Sequence, residues 1–134
     1  MNKKVSAALT ATAALVVTAI SMSPAHAASY RSCSTTGATG GVSITNWTDP
    51  GAKVGLYIDL ADTKADDHHV RIRILSEQSN GKIVHWPWRK HTGGANTGDS
   101  WRTSASDDRG LFEIGVEVAR FEGDKLLNSC THWG

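Results

Sequence analysis

Asp66-Asp67-His68-His69 is the densest run of potential metal ligands in this sequence. Adjacent residues entering a strand point to opposite faces, so these four cannot converge on one ion, and a site would need Asp62 or His85 from elsewhere. The pattern reads as a solvated turn leading into a strand, and no metal is expected. Acid–base catalysis needs paired carboxylates in a pocket, or a histidine held by a second group. Asp49, Asp62, Asp99, Asp107, Asp108 and Asp124 stand mostly among turn residues instead, where aspartate is favoured for backbone reasons. No serine lies in a nucleophile-elbow pattern. The chain is therefore expected not to be an enzyme, with no catalytic residue and no cofactor.

The aromatic residues point to binding. Trp47, Trp86, Trp88, Trp101 and Trp133 are more indole rings than a small β-sandwich normally buries, so several should be partly exposed. In Trp86-Pro87-Trp88-Arg89-Lys90-His91 the two tryptophans share a parity and are expected to face the same way. Pro87 lacks the N–H that a central strand requires, which marks an edge strand or a strand end. Indole rings beside arginine and histidine suit a protein-binding surface, where Trp and Arg carry much of the affinity. They equally suit stacking on sugar rings. The competing reading has Trp86 and Trp88 capping the core, with only Arg89, Lys90 and His91 wet. Trp101 fits either set, Trp133 is expected to cover the end of the sandwich near the disulfide, and Trp47 the other end. The candidate partner-binding residues are thus Trp86, Trp88, Arg89, His91 and Trp101.

The compartment is written at the start of the chain. Lys3 and Lys4 precede an apolar run over residues 5–20, and Ala25-His26-Ala27 offers a small-residue cleavage site. This is a secretory signal peptide of bacterial type, over residues 1–27, and the mature domain runs over 28–134. Removing residues 1–27 of 134 leaves 107, with 12 basic side chains against 13 acidic ones. Near-neutrality argues against nucleic acid or an anionic membrane surface as the partner. After cleavage no membrane attachment is expected, and the location is extracellular. There, Cys33 and Cys130 are expected to form a disulfide locking the first strand to the last. Closing a loop of roughly 100 residues removes about 4–5 kcal/mol of unfolded-state entropy.

These residues must be held by short strands. Residues 53–60 and 69–75 alternate apolar and polar positions, with Arg71 and Arg73 outward. Residues 30–35, 42–46, 83–88, 100–104, 111–121 and 126–132 complete the set, Phe112, Ile114, Val116 and Val118 facing one way. Asp49-Pro50-Gly51, Ser79-Asn80-Gly81, Asp107-Asp108-Arg109-Gly110 and Glu122-Gly123-Asp124 are turns. No segment has a helical period. About seven short strands with one long-range disulfide describe an all-β, immunoglobulin-like β-sandwich. In that layout Arg71 and Arg73 should oppose Glu113 and Glu117.

The Ala/Thr-rich signal and the Thr- and Gly-laden mature chain resemble small secreted proteins of actinomycete bacteria. The stretch from Asp62-Thr63-Lys64-Ala65 to Arg71-Ile72-Arg73 is similar to segments of that group. Within it, the chain resembles the small adaptor subunit of umbrella-shaped antibacterial toxin particles, which joins a lectin subunit to a long stalk-forming toxin chain. The resemblance implies an adaptor between secreted proteins, and it carries over no functional residue. A carbohydrate- or cell-wall-binding module and a secreted protease inhibitor are the alternatives; the second is disfavoured because the bridge braces no loop.

Overall fold

Apolar residues recurring at every second position set the main strands within residues 29–134, the part that the computed structural model describes. The expected export signal and cleavage site lie outside the described residues. Among the described residues there is no helix; the elements in chain order are β1 (Ser29–Thr35), β2 (Ala38–Thr45), β3 (Val54–Asp62), β4 (His69–Glu77), β5 (Ile83–His85), β6 (Arg89–His91), β7 (Thr97–Ala105), β8 (Glu113–Glu122) and β9 (Lys125–His132). They form two antiparallel sheets, ordered β1-β2-β3-β7 and β5-β4-β8-β9, with β6 continuing the edge of the second beside β4. Non-consecutive neighbours, β3 beside β7 and β4 beside β8, interlock the sheets as in immunoglobulin-like sandwiches.

The core lies between the sheets. Val42 and Ile44 of β2, Leu56, Ile58 and Leu60 of β3, Ile72 and Ile74 of β4, and Val116 and Val118 of β8 are all buried there. Each contributes about 1.5–3 kcal/mol on leaving water. The second strand, expected over 42–46, begins earlier, at Ala38, and its glycines let the sheets approach closely: a Cβ at Gly40 would stand 3.0 Å from Ile72 Cδ1 of the opposite sheet. Phe112, expected to share the inward face of β8, precedes the strand and is exposed. Gly110 just before it takes φ 89°, and a side chain there would strike the Phe112 ring.

One side of the sandwich is sealed. Cys33 of β1 and Cys130 of β9 form the expected disulfide, with Cα atoms 6.1 Å apart, and β1 packs against both β8 and β9. Arg31 Nε donates to the Trp133 carbonyl at 2.7 Å, drawing the end of the chain onto the same seam. The Trp133 ring covers Gly115 on the outer face of β8, where a Cβ would meet it at 2.7 Å. Trp47 closes an end of the core, its Nε1 donating to the Leu111 carbonyl at 3.0 Å.

The second sheet is covered on its outer face as well, a feature absent from the sequence reading. Leu75, Ala119 and Phe121 point away from the core yet are buried. Arg71 lies 4.2 Å above the Phe121 ring, His69 stacks on that ring at 5.8 Å, Trp88 meets it edge-on at 5.3 Å, and Arg73 lies 4.2 Å above Trp88. Arg73 pairs with Glu117 at 2.6 Å, as expected from adjacent strands. Arg71 does not reach Glu113, which sits opposite Glu77; it bonds Asp124 at 3.0 Å, donates through Nε to His69 Nε2 at 2.9 Å, and reaches the Gly123 carbonyl.

Candidate functional site

The side opposite the disulfide is where most of the expected binding residues gather, and an extra residue determines how they are presented. Leu75 pairs with His85 and Ile72 with Arg89, so three steps along β4 face four along its neighbour. The surplus falls at Trp86-Pro87-Trp88, where Pro87 has no N–H to give the ladder. Parity therefore inverts across the bulge. Trp86 turns inward against the core, its backbone N–H donating to the Ile74 carbonyl and its Nε1 to the buried Ser76 hydroxyl at 2.9 Å. Trp88 turns outward onto Arg73 and Phe121. The expectation that both rings face the same way is overturned for this reason.

Arg89, past the bulge, pairs with inward-facing Ile72 and stands 5.8 Å over the Trp101 ring. Trp101 is opposite Ile58 in the β3–β7 register and packs half-buried against the core. His91 is drawn inside: it is 5 % exposed, with Nδ1 2.7 Å from Asp99 Oδ2 and Nε2 2.7 Å from Thr97 Oγ1. Both ring nitrogens are occupied, so His91 ties β6 to β7 and the nearby surface is that of Arg89, Lys90 and Pro87. A cleft of about 360 Å³ opens between β7 and the bulge. Its floor reaches Leu56, Ile58 and Ile74, its walls carry Trp86, Trp88, Thr103 and Ala105, and its charged residues are Arg73 and Arg89, with no acid. Thr103, Ala105 and Arg73 are the contributors that sequence reasoning missed; the interrupting Pro87 was the signal for the inversion that brings Arg73 and Trp88 together.

A larger depression of about 580 Å³ lies at the loop carrying Asp66-Asp67-His68-His69. Its polar groups are mostly occupied by the fold itself. Asp62 accepts from the Lys64 N–H at 3.0 Å, while Asp66 accepts from the His68 N–H at 3.1 Å and from Arg120 at 2.7 Å. Arg120 beside Asp66 holds its carboxyl below the usual carboxylate range. Arg120 also donates to Asn128, which donates to Thr35 and to the Thr36 carbonyl, stitching four segments at this end of the sandwich. Among the described residues no group of three or more His, Cys, Asp or Glu side chains is placed to hold a metal ion. The smaller cleft is thus the better candidate: it reaches apolar core and holds a cationic group, Arg89, that has no ion pair among the described residues. Comparison with protein-family models, curated proteins and solved structures finds no match for this chain.

Proposed function

We propose that this chain is exported, loses residues 1–27, and works outside the cell as a non-enzymatic module that docks another extracellular protein. The docking surface is the open side built on Trp86, Pro87, Trp88 and Arg89, with Trp101 beneath Arg89. The observation that carries the reading is the apolar cleft beside a rigid indole–guanidinium stack on the one side that the disulfide leaves open. Stacked rings and guanidinium groups held in place before binding lose little side-chain freedom on contact, which is why such residues dominate interface energetics. The disulfide fits an oxidising compartment, and no helix among the described residues is long and apolar enough to cross a membrane. An adaptor joining lectin and stalk-forming chains of a secreted antibacterial particle is the form of this role that the resemblance favours. A sealed side and an open side on one small domain give an adaptor two different surfaces.

The test is to tag the full chain in the cells that make it and to identify what co-purifies from the culture medium in stoichiometric amount. Arg89→Glu with Lys90→Glu should abolish that capture while leaving thermal unfolding within about 2 °C, since neither side chain is buried. Recovery of the monomer alone, or capture indifferent to the charge reversal, discards the reading.

A further inference from the structure

Building on that docking reading, we propose that the open side accepts an extended strand of the partner protein, hydrogen-bonded to β7 and carrying an apolar side chain with acidic residues on the same face. The sandwich has four sheet edges. Those of β1 and β9 back onto each other at the disulfide seam. The edge formed by β5 and β6 is broken by the bulge at Pro87. β7 remains: nine residues, paired among the described residues with β3 alone, with no proline and no bulge in that register. Long edges of this kind are normally blunted by charge. The two charges of β7 are exposed but both engaged within the molecule, Asp99 with His91 and Arg102 folded 4.8 Å above the Tyr57 ring on the neighbouring strand.

A strand added to β7 would direct every second side chain into the cleft, over Leu56, Ile58 and Ile74. The cleft volume accommodates a phenylalanine or leucine side chain. Its two charged residues are Arg73, already bonded to Glu117, and Arg89, which makes no ion pair or side-chain hydrogen bond among the described residues. Carboxylates two positions either side of the apolar residue would meet them. A second copy of this chain is a poor occupant: the free edge it could offer is β7 itself, whose inward Trp101, Thr103 and Ala105 already face its own core.

The test uses the disulfide-bonded mature chain labelled with nitrogen-15 and a synthetic ten-residue peptide alternating threonine and valine. The peptide carries a central phenylalanine and a glutamate two positions to each side. Addition should shift the amides of Thr97–Ala105 and the indole signals of Trp86 and Trp88. Affinity should fall at least tenfold when lysines replace the glutamates, and again when N-methyl groups block the peptide edge facing β7. Arg89→Glu should reverse the preference between the glutamate and lysine peptides. Unmoved β7 amides, equal binding by the N-methylated peptide, an unchanged charge preference in Arg89→Glu, or a β7-mediated dimer that the peptide cannot compete away would each overturn the proposal. Stoichiometric capture of a secreted partner with β7 amides undisturbed would sink the strand mode while leaving the docking surface standing. Peptide binding without any recovered partner would do the reverse.

Discussion

His69 shows how one side chain links surface chemistry to stability. Its imidazole accepts from Arg71 and lies against Phe121, and burial, then the charges of Arg71 and Lys90, push its pKa below the ordinary 6.5; Asp124 opposes this and His68 adds to it. The unfolded chain therefore binds a proton more readily than the folded one. Stability should be untouched by this group above pH 6.5, decline as pH falls below that value, and level off below the folded pKa. His69→Gln should flatten that segment of a denaturant-midpoint-against-pH curve; an unchanged slope would assign the acid sensitivity elsewhere. Asp66 and Asp107 act lower down, because Arg120 and Gln78 respectively hold their carboxyls below 3.8, so their contribution disappears only as pH drops under that value. Trp47 offers a second test. Trp47→Phe keeps much of the ring but leaves the Leu111 carbonyl without its donor, and urea unfolding should register a loss of about 1–3 kcal/mol.

The bulge between β5 and β6 is the element on which the candidate site depends. Deleting Pro87 restores equal counts on the two strands, three steps facing three, so Trp86 stays inward, Trp88 outward and Arg89 inward while the bulge that forms one wall of the cleft is flattened. Near-UV circular dichroism of the deletion variant and of Pro87→Ala, which keeps the count, should both retain the native tryptophan signature, while partner capture should fall in the deletion alone; equal capture by both would show that the bulge is dispensable. This element also marks where sequence reasoning ran out. Alternation located β3, β4 and β8 because a half-buried strand has no other way to segregate its side chains. The disulfide and the Arg73–Glu117 pairing followed from compartment and strand adjacency. Parity across Pro87 was not legible, because a two-residue period carries no record of an inserted residue. The outer aromatic layer was hidden for a related reason: Arg71 and Arg73 look like solvent-facing residues, and only the fold brings Phe121 and Trp88 beneath and beside them. His91 looked exposed until β7 supplied Asp99 and Thr97.

At the scale of the molecule, asymmetry between a sealed and an open side governs behaviour. Reduction of the bridge, or Cys33→Ala with Cys130→Ala, should lower stability by up to about 4–5 kcal/mol, since 97 positions separate the cysteines and the unfolded chain regains that freedom. Urea midpoints with and without reductant measure it; a negligible difference would mean that the packing of β1 on β8 and β9 already holds the seam. The same covalent shortcut has a mechanical meaning. Load applied at Ser29 and Gly134 passes through a few residues of β1, across the sulfurs and out through the last residues after Cys130, while the 97-position span between the cysteines stays slack. Stretched between a pipette and a surface, the oxidised domain should behave as a nearly inextensible link. Adding a thiol should release about 330 Å of hidden length in one step, at about 3.4 Å per residue.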